Sequence, residues 1–374
     1  MSPTQRSNPH PRRPIYVARP ALPPRREFDR LLDVAWKRRW LTNDGVLVRR
    51  LERQLARYLE APRIATTTNG TIALQLALRA VSERRGVVLT TPFTYAATTT
   101  ALLWEGFIPR FVDIDPETFN LNPEAVAAAD APDVVGVLAV HVFGNPAGGA
   151  ALARWAKQAG RWLIFDAAHA FGTRSDDGPI LRWGDASTLS FHATKTFHTL
   201  EGGAVSSPRV AIDRRVRQFR TFGFEGREQI RYPGINGKMT EAQAAMGLAN
   251  LRYVDGWIRA RTERYHLYRD LLEGAGVEFQ RMTARRPSHP YMPVLLKNRR
   301  RRDAAYAALA ACRIFARKYF YPPTNEFRFA RSLTGSTPVA RQIASRVLTL
   351  PLYPDLPLRD VREVARVVRL CGAA

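Results

Sequence analysis

The segment Ser190-Phe191-His192-Ala193-Thr194-Lys195, followed by Glu201-Gly202-Gly203, lies where one apolar run stops and a turn leads into the next. Working back from it, β-branched or apolar runs recur at Ala186–Phe191, Trp162–Asp166, Val135–Val140, Arg110–Ile114, Val87–Thr91 and Ile64–Thr68, and forward at Gly203–Ser206. Continuous runs of this kind mark strands buried on both faces. Between them the sequence predicts helices near Thr71–Ser82, Thr94–Glu105, Pro123–Ala129 and Ala150–Ala159, short enough for βα crossovers. The expected fold class is α/β: a large, mostly parallel sheet covered by helices, with Ser190–Lys195 at the end of a central strand.

Past Ile235 the pattern changes. Met239, Ala242, Met246, Ala249, Tyr253 and Trp257 recur at three- or four-residue steps, which predicts one long helix with an apolar face linking two domains. Beyond it, Tyr291–Leu296, Ala304–Cys312, Ser345–Leu350 and Leu358–Leu370 read as strand, helix, strand or turn, and helix, without regular alternation. The expected plan is a basic disordered tail over 1–14, an N-terminal segment and large domain over 15–250, and a smaller C-terminal α+β domain over 251–374. No repeat with a period of 20–50 residues is present.

A chain of 374 residues, 45% hydrophobic and 24% charged, has the composition of a folded globular protein and not of a disordered or coiled-coil one. The apolar stretch Val134–Phe143 is broken by His141 and falls short of the roughly 18 residues a spanning helix needs. With Arg6, Arg12 and Arg13 among Pro, Ser and Asn at the start and no secretory apolar stretch, the expectation is a cytoplasmic protein with no membrane partner. Cys312 and Cys371 match no zinc or disulfide spacing, so no metal is expected. The charge is unusual: 57 Lys+Arg against 33 Asp+Glu gives +24, which favours an anionic partner. Only six of those residues are Lys, however, and the Arg excess is spread along the chain with one dense run at Arg299–Arg302. No helix-turn-helix or aromatic-interleaved basic motif accompanies it, so specific nucleic-acid binding is not expected.

Three segments carry candidate chemistry. A lysine between a strand end and a Gly-Gly turn, as Lys195 is, loses part of its hydration, and its neutral amine can attack a carbonyl. A lysine that only snorkels at the strand end fits the same residues as well. The strand Leu163-Ile164-Phe165 ends in Asp166, a carboxylate placed either to hold a pyridinium nitrogen or to cap the next segment. Thr66-Thr67-Thr68-Asn69-Gly70-Thr71 runs from a strand through a Gly turn into a helix, which makes an anion site or a plain N-cap; it lacks a Walker A ending. Parallel sheets bring such strand ends to one edge, where ligands bind.

The order and wording of these pieces resemble the pyridoxal-phosphate-dependent nucleotide-sugar aminotransferases of the DegT/DnrJ/EryC1/StrS type, which include antibiotic- and O-antigen-sugar enzymes. The likeness runs from about Ile15 through Trp40-Leu41-Thr42-Asn43-Asp44-Gly45, Asn69-Gly70-Thr71, Thr91-Pro92-Phe93-Thr94-Tyr95, Phe111-Val112-Asp113-Ile114-Asp115 and His141-Val142-Phe143-Gly144. It continues in Asp166-Ala167-Ala168-His169, the Ser190–Lys195 segment, Asn236-Gly237-Lys238-Met239 and Lys318-Tyr319-Phe320-Tyr321-Pro322. The resemblance implies the aspartate-aminotransferase-like fold type I, with pyridoxal 5'-phosphate (alternating with its pyridoxamine form) as cofactor. Lys195 would be the Schiff-base lysine, Asp166 the pyridinium contact and Tyr95 the ring cover. Gly70, Thr71 and Ser190 would hold the phosphate, and His169 would touch the cofactor's phenolic oxygen. Asn236 would reach the neighbouring subunit's phosphate site, implying a homodimer with shared active sites. Arg317 and Lys318, beside Tyr319 and Tyr321, are the candidates for binding a nucleotide sugar's diphosphate.

The wording around Trp40–Gly45 and His192–Gly203 most resembles members acting at C4 of dTDP-4-keto-6-deoxyglucose, with L-glutamate as amino donor, giving dTDP-4-amino-4,6-dideoxyglucose. C3-aminating and GDP-sugar (perosamine synthase type) enzymes share the scaffold. So do sugar dehydratases, whose relevant members carry His where this chain has Lys195, and a regulatory or nucleic-acid-binding protein on the same scaffold would account for the charge. The loop Asn145–Gly149, without the acidic residues common in relatives, and the short Ala129–Asp133 depart from the family pattern and bear on substrate fit.

Overall fold

The computed structural model of the protein describes residues 13–226 and 228–372. The tail expected over 1–14 lies outside the described residues except for Arg13 and Pro14. Seven strands form the large sheet: β1 (Ile64–Thr67), β2 (Val87–Thr90), β3 (Ile108–Phe111), β4 (Val134–Val140), β5 (Trp162–Asp166), β6 (Ala186–Ser190) and β7 (Gly203–Ser206). Their order is β1-β7-β6-β5-β4-β2-β3, and only β7 runs antiparallel to its neighbours. Every residue of β4, Val-Val-Gly-Val-Leu-Ala-Val, is buried, which is why the sequence shows an unbroken apolar run and no alternation. Its Gly136 is required because the Trp162 indole lies where a Cβ would sit.

Helices cover both faces. On one side Gly70–Val81, Ala96–Trp104 and Val210–Phe219 bury Leu74, Ala77, Leu102, Val216 and Phe219 over the sheet. On the other, Gly149–Ala159 packs Leu152 and Ala156 against Leu163 and Phe165. The predicted strand over Arg110–Ile114 is shifted to Ile108–Phe111. Asp113 leaves the sheet to accept hydrogen bonds from Val339 and Ala340 at the start of the helix Pro338–Arg346, 2.9 and 2.8 Å.

The long helix expected through Met239–Trp257 is two helices, Glu241–Leu251 and Val254–Leu272. The chain turns at Arg252–Tyr253, yet the apolar spacing keeps its phase through the break, so periodicity alone does not register it. The first helix starts with a capping box between Thr240 and Gln243. Its buried Glu241 accepts from the Leu47 and Val48 amides at the start of the helix Val46–Tyr58, and a Cβ at Gly45 would collide with that carboxylate. The second helix places Val254 and Ile258 in the core beside Ala167 and Phe171, and Tyr268 and Leu272 in the core of a three-stranded antiparallel sheet. That sheet orders Val277–Phe279, Met292–Leu296 and Val347–Leu350, and is covered by the helices Arg299–Ala311 and Leu358–Gly372.

Some of the arginine excess is structural. Arg220, Arg261 and Arg302 are buried, with their guanidinium groups on carbonyl oxygens and carboxylates. Arg220 bonds Glu52, Asp44 and the Thr66 carbonyl, which fixes the strand that leads into Asn69-Gly70. Burial alone would push the Glu52 carboxyl up, but Arg220 and Arg217 outweigh it and hold it below its usual range. Among the described residues no helix is long and apolar enough to cross a membrane, and no group of three or more His, Cys, Asp or Glu side chains could hold a metal.

Candidate active site

The ends of β1, β5 and β6 open on one cavity of about 1320 Å³. Asp166 ends β5 and Ser190 ends β6, while Lys195 follows in the turn that returns through Gly202 and Gly203 to β7. That return passes directly under the Asn69-Gly70 backbone, because a Cβ at Gly203 would lie 2.5 Å from the Asn69 carbonyl oxygen. Asn69 caps the helix Gly70–Val81 by accepting from the Ile72 amide at 2.9 Å, which leaves the Gly70 and Thr71 amides at the cavity end of the helix. A Cβ at Gly70 would come within 2.8 Å of Ser190 Cβ, so glycine is what lets the turn approach the Ser190 hydroxyl.

Burial pushes the Lys195 amine below its ordinary pKa, against the opposing pull of Tyr319, Asp166 and Tyr95. Its one hydrogen-bond partner among the described residues is the Tyr291 hydroxyl, at 3.3 Å. Burial likewise raises the Asp166 carboxyl, opposed by the Ala168 amide at 3.0 Å, the Thr98 hydroxyl at 2.8 Å and Lys195. Thr98 in turn shares a hydrogen bond with Thr94 at 2.8 Å. His169 is buried, stacked with Phe320 and tilted against Tyr291; burial and then Lys195 hold it well below its usual pKa, so the ring is neutral. Its Nδ1 has no hydrogen-bond partner among the described residues.

Of the residues singled out in the sequence, Gly70, Thr71, Tyr95, Asp166, His169 and Ser190 line this cavity with Lys195, and Arg317 and Tyr319 join them. Lys318 and Tyr321 do not. Lys318 places Nζ 2.6 Å from Asp303 and over the Tyr306 ring, and Tyr321 lies beneath Arg302, 4.4 Å from ring centroid to guanidinium carbon. Neighbouring residues on an extended segment point to opposite sides, so Arg317 and Lys318 cannot both face the cavity. Asn236 is exposed, accepts from Lys238 Nζ at 2.6 Å and lies outside this chain's cavity.

The family model for DegT/DnrJ/EryC1/StrS aminotransferases matches residues 25–369. The chain belongs to this family. It is 37% identical to the dTDP-4-amino-4,6-dideoxy-D-glucose transaminase of Shigella dysenteriae over 96% of this chain and 99% of that one. The Escherichia coli enzyme of the same name is 35% identical, over 95% and 98%. The crystal structure of DesI with its TDP-sugar product superposes with a TM-score of 0.91 at 36% identity, covering 96% of this chain and 93% of that one. The fold of this aminotransferase is that of the pyridoxal-phosphate-dependent enzymes of fold type I, a large, mostly parallel sheet domain with a smaller α+β domain.

Pyridoxal phosphate is the cofactor this membership implies, and the cavity fits it on its own chemistry. Two helix amides and a hydroxyl suit an anion, a buried carboxylate that no cation hydrogen-bonds among the described residues suits a protonated ring nitrogen, and a His169 nitrogen without a partner among those residues shares the cavity with a dehydrated amine. Two contributors escaped the sequence reading. Thr98 lies one helical turn past Tyr95, a spacing that could have flagged it; Tyr291 arrives from the small domain, and nothing local signals it.

Proposed function

We propose that this aminotransferase moves an amino group from an amino acid, L-glutamate, to the C4 ketone of a nucleotide-linked 4-keto-6-deoxysugar, dTDP-4-keto-6-deoxyglucose, giving dTDP-4-amino-4,6-dideoxyglucose. The observation that carries the reading is the convergence of Lys195 and Asp166 on one large cavity, each driven toward its neutral form by burial. The names of the Shigella and Escherichia coli relatives support C4 of a dTDP sugar as the place of amination.

When bound, pyridoxal phosphate supplies a carbonyl that captures an amine and a ring that accepts electrons from the adjoining carbon. The Gly70 and Thr71 amides and the Ser190 hydroxyl would bind its phosphate. Asp166, with Oδ1 taken by Ala168 and Oδ2 by Thr98, turns its remaining lone pairs to the cavity; a positive charge facing it restores the ionised form that burial opposes. Lys195, pushed toward its neutral form by the same burial, would carry the proton between the substrate carbon and the cofactor carbon in each half-reaction, with Tyr291 orienting the amine. Tyr95 would cover the ring, and His169 would contact the phenolic oxygen.

The protein acts as a homodimer in this reading. Asn236 is exposed and does not line its own cavity, and Phe222, Ile230 and Ile235 are exposed as well, an apolar face suited to a second copy. The test is turnover of a panel of nucleotide ketosugars with L-glutamate, with product configuration read by NMR. Amination of dTDP-4-keto-6-deoxyglucose at C4 is expected; turnover only of a 3-keto or GDP-linked sugar would refute the assignment.

A further inference from the structure

Two aromatic rings on the rim of the active cavity have no role so far. Tyr16 and Phe315 are 58% and 42% exposed, yet they stack on each other with ring centroids 5.3 Å apart and an interplanar angle of 19°. They are held there by a parallel backbone pairing of Ile15–Tyr16 with Ile314–Phe315, whose two isoleucines are buried in the small-domain core. Apolar residues thus anchor the segment inward, and flat aromatic ones are left in solvent. Both line the cavity that contains Lys195, as does Trp104, 82% exposed at the end of its helix.

The chain beyond Phe315 supplies the rest. Ile314 and Ala316 are buried while Phe315 and Arg317 are exposed, the alternation of an extended segment, and Arg317 pairs through its backbone with Thr349 at 3.0 and 2.7 Å. Phe315 and Arg317 therefore stand on one side, roughly 7 Å apart along the strand. Among the described residues no carboxylate pairs with the Arg317 guanidinium, whose hydrogen-bond partner is the Tyr319 hydroxyl at 3.4 Å. Tyr319 comes next, ring to ring with Tyr291 at 5.8 Å, and Tyr291 bonds Lys195. From Lys195 outward the cavity wall reads reactive amine, free cation, aromatic stack. A nucleotide sugar reads in the same order: reactive sugar carbon, diphosphate, planar base.

We propose that Tyr16 and Phe315 form the platform on which the base of the nucleotide-linked substrate stacks, with Arg317 on the diphosphate between base and sugar. This rests on the nucleotide-sugar reading above and adds to it the residues that hold the base. Every base has a π face, so the platform supplies affinity for a nucleotide without choosing among bases. It also makes the stretch at Ile15–Tyr16, far in sequence from the catalytic lysine, part of the substrate site.

The test is calorimetric titration of the full-length, cofactor-loaded protein with dTDP and, separately, with inorganic pyrophosphate. In the double variant Tyr16→Ala/Phe315→Ala, dTDP affinity should fall roughly ten- to a hundredfold, the range of losing base stacking. Pyrophosphate affinity should stay put, and Tyr16→Phe should match the parent. Steady-state rates should show a raised KM for the nucleotide ketosugar with kcat and the glutamate half-reaction unchanged. A folded double variant that binds dTDP as tightly as the parent overturns the proposal. So does one whose molecular mass in light scattering changes while dTDP affinity holds, which would give the rings to packing between copies. A parent protein that aminates nucleotide ketosugars but does not bind dTDP overturns the platform alone; one that does neither overturns the function proposed as well.

Discussion

Thr98→Val removes one hydroxyl from the least exposed part of the active site and leaves the side-chain shape almost intact. Thr98 is fully buried, and its Oγ1 donates to Asp166 Oδ2 at 2.8 Å while bonding Thr94 Oγ1 at the same distance. A hydrogen bond to a charged group contributes about 1.5–3 kcal/mol, and here it favours the ionised carboxylate against the burial that opposes it. Its loss shifts the balance toward the protonated acid by roughly ten- to a hundredfold. Burial already raises the Asp166 carboxyl above its ordinary pKa, the variant raises it further, and the carboxylate is lost at higher pH than before. The acid limb of kcat/KM should therefore move to higher pH, with the alkaline limb unmoved and cofactor occupancy, read from the visible band, reduced less than the rate. An acid limb that stays in place in a folded, cofactor-loaded variant would refute this account of how the carboxylate is kept ionised.

Three further outcomes follow from the same geometry. Lys195→Ala should fold but lose transamination, and borohydride reduction of the parent should fix the cofactor to Lys195 on peptide mapping; a label on any other lysine sinks that role. Arg317→Ala should raise KM for the nucleotide sugar about tenfold, whereas Lys318→Ala should barely change it, since Asp303 holds Lys318 at 2.6 Å; equal effects would mean that both face the substrate. Burial holds His141 down to about 3, and burial and His266 hold His289 down to about 4. The unfolded chain therefore binds protons that the native state refuses, and stability should drop as pH falls below about 6.5, by up to about 1.4 kcal/mol per pH unit for each histidine. Denaturant midpoints that are flat between about pH 7 and about pH 5 would count against it.

Much of this was legible in the chain because strands of a covered parallel sheet have to be apolar throughout. β4 and β5 are uninterrupted, so their positions, and with them the place of Asp166, come from composition alone. What is not local is not legible. Thr98 matters only through a carboxylate 68 positions away, and Tyr291 only through a fold that returns it to Lys195. The break at Arg252–Tyr253 left no mark because Ala249, Tyr253 and Trp257 keep their spacing across it. Arg317 and Lys318 look alike in a sequence; only strand alternation separates the one that faces the cavity from the one that turns to Asp303.

The helix Val254–Leu272 makes the molecule hard to divide. Its first turns are embedded in one core and its last in another, and at its middle the buried Arg261 is tied to the Leu352 and Pro290 carbonyls. A chain cut anywhere along these nineteen residues exposes a half-helix with an orphaned apolar face on each fragment. Neither piece then retains the contacts that held it, and Tyr291, just ahead of the strand Met292–Leu296, departs with the second. Loss of either core should melt the other, so heating should give a single cooperative transition in place of two. Lys195 thus owes the placement of its hydrogen-bond partner to a rod whose two ends share one fate.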